Sequence, residues 1–296
     1  MRSSTCFLWI LTLTAACVLE DQPVGDADAG ICGPCPTPRP VCHEEAEMCV
    51  QCTAQDSSAC LDDTTVCNAE TFECVECTAN SDCINPTAAR CDTETNQCTG
   101  CESATDCEGI TGLRACNAGA CVQCTNDANC DGKSCNTNTF DCTTTDVGSL
   151  ETCEQCVVDS ECGDANNRCV AMFYQGTRHL NADSGYCLKT TDGGCERPYA
   201  ITLQTRPSLS GEPLEDYCGI NEMLATCEAV RALLNDDRCP DGDDFQCPQP
   251  SGLCREVGNL LNRCTYQCGL PVQCPSDPPA DSCGSSGSGG DDYCGG

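Results

Sequence analysis

Six Cys-x2-Cys pairs punctuate the chain, at Cys32/Cys35, Cys49/Cys52, Cys74/Cys77, Cys98/Cys101, Cys121/Cys124 and Cys153/Cys156. Thiols at this spacing have two chemistries. As thiolates, two such pairs bring four sulfurs within tetrahedral reach of a zinc ion; oxidised, they become covalent staples. The residues around them favour staples. The intervals between pairs hold further Cys, two in most of them, the Cys-x-Cys and Cys-Cys runs of metallothioneins are missing, and no βαβ pattern surrounds any pair as a thioredoxin-like redox site requires.

Oxygen ligands gather near glycine in Asn126-Asp127-Ala128-Asn129-Cys130-Asp131-Gly132 and in Asp241-Gly242-Asp243-Asp244. Both are weak calcium candidates, since neither fits an EF-hand loop and Asp and Asn in tight loops commonly form turns. The two histidines, His43 and His179, stand apart in the chain. His179 falls in an expected loop, 175–184, with Asp183 and Ser184 nearby, but adjacency in sequence is not triad geometry. No nucleophile elbow, phosphate loop or metalloprotease helix occurs. No catalytic, cofactor-binding or metal-binding residue is therefore assigned.

Whatever positions these side chains, it is not a large apolar core. The 296 residues include 38 Cys but only 5 Phe and 1 Trp. Short modules bury too little apolar surface to offset chain entropy, and a disulfide closing a loop of about 15 residues contributes about 3 kcal/mol by restricting the unfolded state. Such cysteine usage requires an oxidising compartment, hence export. The N-terminus agrees: Arg2, an apolar run from Phe7 to Leu13 too short to span a bilayer, then Ala15 and Ala16, reading as a signal peptide over 1–16.

Leu13-Thr14-Ala15-Ala16-Cys17 resembles the lipobox of bacterial lipoproteins, in which the Cys is lipidated and becomes the mature N-terminus. Here Leu stands one residue further from the Cys than is usual. Cysteine parity supports lipid on Cys17: removing Cys6 with the signal and Cys17 by acylation takes 38 Cys to 36, an even number that permits complete pairing. By that resemblance Val18, where a retained lipoprotein would carry Asp, implies the outer membrane. Ordinary secretion is the alternative. Residues 17–31 hold Pro, Gly and acids without further Cys, and are expected to form a lipid-linked flexible tether.

From Cys32 a repeat governs the chain. The second Cys of successive pairs falls at Cys52, Cys77, Cys101 and Cys124, spacings of 25, 24 and 23 residues. The four-Cys units so phased are Cys52/Cys60/Cys67/Cys74, Cys77/Cys83/Cys91/Cys98, Cys101/Cys107/Cys116/Cys121 and Cys124/Cys130/Cys135/Cys142. A shorter leading unit holds Cys32, Cys35, Cys42 and Cys49. Each four-Cys unit allows three pairings. Segments 68–73, 92–97 and 136–141 place turn formers between potential short strands, predicting a small hairpin per unit. Asp82, Asp106 and Glu161 precede a Cys, and Thr78 and Thr125 follow the pairs; there they are expected to satisfy backbone donors.

Past Cys153 the gaps lengthen and most Lys and Arg collect. Val170–Tyr174 and Tyr186–Lys189 are expected to pair as strands. Alternation of Tyr199, Ile201 and Leu203 predicts a third, and Ile220, Met223, Leu224, Cys227, Val230 and Leu234 predict a helix N-capped by Asn221. Cys264, Cys268, Cys274 and Cys283 suggest one more unit, closing with Cys294 across a Gly/Ser-rich stretch. The expected fold class is small disulfide-rich: tandem short β-hairpin modules in an elongated array, then a small α+β disulfide-rich C-terminal region. The domains are 1–16, 17–31, 32–152 for the modules, 153–264 for the less regular region and 265–296 for the final module and tail.

The segment Cys77-Thr78, Asp82-Cys83, Pro86-Thr87, Cys91-Asp92 and Cys98, with Tyr217-Cys218-Gly219 and Arg263-Cys264-Thr265-Tyr266, resembles the cysteine-rich repeats of myxobacterial-type surface lipoproteins. The spacing is also faintly similar to the Dickkopf N-terminal cysteine-rich domain. The resemblance implies a surface location and a disulfide-rich fold, and no established activity. A formal charge of -32, with only Arg39, Arg90, Arg114 and Lys133 opposing the acids between Cys17 and Leu150, makes nucleic acid an unfavourable partner and keeps the surface solvated. The expected function is a noncatalytic, lipid-anchored spacer and interaction or adhesion module that meets a surface protein or glycan. Alternatives are extracellular metal binding through thiolate or calcium, and a hydrolase or inhibitor in the C-terminal region.

Overall fold

A computed structural model describes residues 32–211, 213–258, 261–285 and 290–296; the signal peptide, Cys6, Cys17 and the 17–31 tether lie outside the described residues. Every cysteine from Cys32 to Cys294 is in a disulfide. The phasing read from the spacing holds, and the pairing it left open is crossed: first Cys to third, second to fourth. Thus Cys52 joins Cys67 and Cys60 joins Cys74, Cys77 joins Cys91 and Cys83 joins Cys98. Likewise Cys101 joins Cys116 and Cys107 joins Cys121, Cys124 joins Cys135 and Cys130 joins Cys142. The shorter unit at Cys32 follows the same rule.

The chain divides after Val75 into two compact units. The first contains two modules, with hairpins Val41–His43/Met48–Val50 and Val66–Asn68/Glu73–Val75. The second opens with three more, whose hairpins are Arg90–Asp92/Gln97–Thr99, Ala115–Asn117/Ala120–Val122 and Lys133–Asn136/Asp141–Asp146. In every hairpin the third and fourth cysteines are direct cross-strand partners, as Cys67 is to Cys74 and Cys91 to Cys98. The gap from Cys116 to Cys121 is shorter than the turn segments read at 68–73, 92–97 and 136–141, yet Cys116 stands opposite Cys121 in the same register. Opposite residues leave the same face of a strand pair. Both sulfurs therefore anchor the preceding loop, which carries the first and second cysteines.

Local polar groups fix the loop's shape. Asn68 and Asp92 close their turns by accepting amides two and three residues on. The residue two before the fourth Cys is left-handed: Phe72, Asn96, Gly119 and Phe140. Its carbonyl accepts the amide of the module's first Cys, at 3.4, 3.3, 3.0 and 3.2 Å for Cys52, Cys77, Cys101 and Cys124. The turn at Ala118-Gly119 is the shortest, and a Cβ on Gly100 would stand 2.7 Å from the Gly119 carbonyl, so the chain uses glycine at both places.

Within the second unit a single 3-10 turn precedes the second Cys, and the residue just before that Cys caps it. Asp82 Oδ2 accepts from Thr78 N and Ala79 N, Asp106 Oδ2 from Glu102 N and Ser103 N, and Asn129 Oδ1 from Thr125 N and Asn126 N. Glu161 and Gln273 do the same later in the chain. This is the turn-satisfying role expected of Asp82, Asp106 and Glu161. Neighbouring modules are also fastened: Asn80 Nδ2 donates to Asp106 Oδ1 at 2.9 Å, Arg90 pairs with Glu102, and Ser160 Oγ donates to Asp127 Oδ1 at 3.1 Å.

Beyond Cys153 the module recurs in stretched form. Cys156–Cys169 with Cys162–Cys187, and Cys239–Cys254 with Cys247–Cys264, are again crossed pairs. Cys264 thus closes the module before it, and the last begins at Cys268, with Cys268–Cys283 and Cys274–Cys294. Two disulfides stand outside the repeat: Cys195–Cys218, and Cys153–Cys227, which spans 74 residues.

An insertion between these modules builds the apolar core. Strand Gly185–Thr190 pairs antiparallel with Gln155–Cys156, Asn167–Val170 and Glu215–Gly219, and Ile201–Arg206 pairs with the last. The expected pairing of 170–174 with 186–189 holds only at Val170↔Tyr186; Met172–Tyr174 turns away to pair with Thr177–His179. The third strand begins at Ile201, past Tyr199. The helix runs Cys227–Leu234 and is capped by Thr226, whose hydroxyl accepts from Ala229 N. Asn221 closes a separate turn, accepting from Met223 N, so the expected cap is corrected. Val230 and Leu233 of the helix pack with Tyr186, Tyr217, Leu188 and Met172.

The capping carboxylates make the loops acid-sensitive. Burial alone would raise the Asp106 carboxyl, but the amides of Glu102 and Ser103, with the Ser103 hydroxyl and Asn80, hold it below the ordinary range. A folded value below the unfolded one gives stability that is complete above about pH 5 and is lost as pH falls through the folded value. Asp106→Ala is expected to cost about 1 kcal/mol, and Asp106→Asn less, since Asn129 caps its own module. Protection of the Glu102 and Ser103 amides, measured against their intrinsic exchange rates at each pH, should fall in acid in the native chain. It should be absent at every pH in Asp106→Ala.

Candidate functional site

Groups of three cysteine sulfurs lie close enough to one another to hold a metal, such as Cys77, Cys83 and Cys98, or Cys101, Cys107 and Cys121. Each of these sulfurs is in a disulfide. A disulfide sulfur has no thiolate lone pair to give, so the clusters are the packed cores of the modules, and metal-thiolate binding would require reduction. Cys116, the partner of Cys101, is half-buried and packs against the second of these clusters from its edge.

The calcium candidates separate in the same way. Asp127 Oδ1 accepts from Cys135 N and Ser160 Oγ, Asn129 caps its turn, and Asp131 pairs with Arg114 at 2.5 Å. Asp241 bonds Gln246, Asp243 accepts from Phe245 N, and Asp244 pairs with Arg255 while accepting from Cys254 N. Each of these oxygens is engaged by a different protein donor.

His43 is a hairpin residue whose Nδ1 accepts from Ala46 N, and its ring tilts against Phe72 with centroids 4.4 Å apart. A cleft of about 540 Å³ there is lined by His43, Glu44, Glu45 and Phe72. His179 lies in the strand Thr177–His179 and not in a loop. Its Nε2 is 3.0 Å from Glu228 Oε2 in the first turn of the helix, while Glu228 Oε1 accepts from the Tyr186 hydroxyl. The His179 and Tyr186 rings lie nearly parallel. Asp183 and Ser184, the neighbours in sequence, are not its partners in the hydrogen bonds found.

This His–Glu–Tyr cluster unites side chains capable of proton transfer that the sequence leaves apart. Glu228 is 49 residues from His179, and nothing in its local pattern marks it. Tyr186 is 1% exposed, so its hydroxyl is unavailable to a substrate. Burial, then the Glu228 hydrogen bond and charge, push the Tyr186 phenol far above its ordinary value. Chemically the cluster is a bridge that ties the hairpin 172–179 and the central strand to the helix. Arg231, on the same helix, adds ion pairs to Glu151 and Glu154, both at 2.7 Å.

Alkaline titration followed by tyrosinate absorbance should show Tyr199, raised chiefly by burial, ionising at about 12 and Tyr186 staying neutral there. His179→Ala should lower the melting temperature of the region after Cys153, with Glu228→Gln acting in the same direction; an unchanged melting temperature in both would remove the bridge.

What the described residues repeat, and therefore build most consistently, is the crossed four-cysteine module and not a pocket. Compared with protein-family models, curated proteins and solved structures, the chain matches none.

Proposed function

We propose that the chain is a noncatalytic, cell-surface lipoprotein whose stapled modules act as a spacer and interaction module, carried on lipid at Cys17. The observation that carries the reading is complete pairing: every cysteine from Cys32 to Cys294 has a disulfide partner, which belongs to an extracellular or otherwise exported protein. These cysteines need no partner from Cys6 or Cys17, which supports the lipid on Cys17 that the lipobox resemblance implies. Among the described residues no helix is long and apolar enough to cross a membrane, so lipid is the anchor this reading requires.

Several features support a spacer. Modules of the second unit join through short links and through polar pairs such as Asn80–Asp106, an arrangement suited to holding neighbours in register. The acidic, solvated surface resists association. The resemblance to myxobacterial-type surface lipoproteins points the same way, to a surface location; Val18 after the lipobox adds the outer membrane, and a surface protein or glycan is the partner we propose.

Mass spectrometry of the native, alkylated protein tests the reading at two places. The mature N-terminal peptide should begin at Cys17 and carry acyl chains, and no alkylated thiol should be found between Cys32 and Cys294. An unmodified Cys17 would leave a secreted protein; abundant free thiols would remove the stapled spacer altogether.

A further inference from the structure

We infer that the crossed pairing makes residues 32–142 a tether that stays covalently whole after proteolytic cutting. In each module the first and third cysteines form one linked pair and the second and fourth another. The three chain segments between successive cysteines each run from one pair to the other. Any one of them holds the module together, so all three must be cut before it parts. Hydrolysis of a peptide bond consumes one water and leaves a new carboxylate and amine; the disulfides are untouched.

Between modules the chain is a single thread, two residues long: Val50-Gln51, Val75-Glu76, Thr99-Gly100 and Val122-Gln123. None of these residues is exposed. Val75, Thr99 and Val122 are in hairpin strands, and Gln51 and Gln123 accept the amides of Cys74 and Cys142, both at 3.1 Å. The most open chain lies in the redundant loops, where Leu61 is 66% and Ile84 77% exposed. Proteases take exposed, locally mobile chain. Within 32–142, what they can reach is backed by two other routes and what has no backup is shielded; the single thread 143–152 that follows is largely exposed.

The cationic residues follow the same division. Arg39, Arg90, Arg114 and Lys133 all fall between the second and third cysteines of their modules, and Arg39 is followed by Pro40. The inference deepens the spacer reading, on which its purpose rests: a surface tether meets proteases, and its modules must stay joined to one another after being cut.

The test uses the full chain with free thiols blocked, digested by trypsin in enough urea that a reduced sample shows complete cleavage after Arg90, Arg114 and Lys133. Before reduction, under denaturing conditions, everything from Cys32 to Arg231 should remain one species, heavier by one water per cut. The portion beyond should leave, because 228–238 is a single thread. Reduction should scatter the remainder into peptides. Separation at Arg90, Arg114 or Lys133 before reduction would overturn the inference. A glutamate-specific protease supplies the opposite arm: cleavage after Glu76 should separate 32–76 from 77–151 without reductant, and Glu76→Gln should leave 32–151 as one species, cuts after Glu151 and Glu228 in the single threads 143–152 and 228–238 removing the rest of the chain in both. A 32–151 species that stays whole once the Glu76 cut is complete also overturns it. Both arms read connectivity alone, so a protein found away from the cell surface would sink the spacer reading and leave this result standing.

Discussion

Across each hairpin the third and fourth cysteines face one another, yet each bonds to a sulfur on the loop before it. That one constraint organises the molecule. Because both side chains leave the same face, the hairpin becomes a two-point clamp, and the loop bearing the first two cysteines is pressed onto it. The module needs almost no other core: in the unit opening at Cys77 the buried cluster consists of Cys77, Cys83 and Cys91, with Cys98 packed against it. With sulfur setting the register, loop residues are free to vary, and here they vary toward acid. The caps show the same freedom, since Asp, Asn, Glu and Gln all serve before the second Cys.

Where the hairpin loop is short, the module is legible from spacing alone, as from Cys52 to Cys142. The copies beyond Cys153 are hidden by insertions. Between Cys169 and Cys187 the chain makes an extra hairpin, 172–179, and between Cys187 and Cys239 it builds two strands and the helix. Cys153 and Cys264 are the cysteines whose local spacing misleads: the first completes a Cys-x2-Cys pair yet bonds the helix, and the second sits near Cys268 yet belongs to the module before. The helix start is misplaced because apolar periodicity begins at Ile220, while the residues after Asn221 form a separate turn and Thr226 has both the hydroxyl and the Ser251 contact that fix a cap.

The region after Cys153 is thus the same architecture, interrupted, and not a different kind of domain. Its apolar core is a consequence of the interruption: the inserted strands and helix bring Tyr186, Tyr217, Tyr266 and Val230 together, and such packing can pair groups as distant in sequence as His179 and Glu228. Separation of that order leaves no local pattern to read. The caps, by contrast, are readable because donor and acceptor lie within four residues of each other.

The Cys153–Cys227 bond also sets an order on maturation. Sixteen of the disulfides close loops of 10 to 25 residues within a module, and one more joins Cys195 to Cys218 over 23, so their partners follow soon after one another as the chain is made. Cys153 must wait for a partner 74 residues later. During that interval it stands three positions from Cys156, whose own partner, Cys169, is already available. A wrong pair made by Cys153 in that interval is corrected by thiolate attack on it, the exchange that disulfide isomerases catalyse.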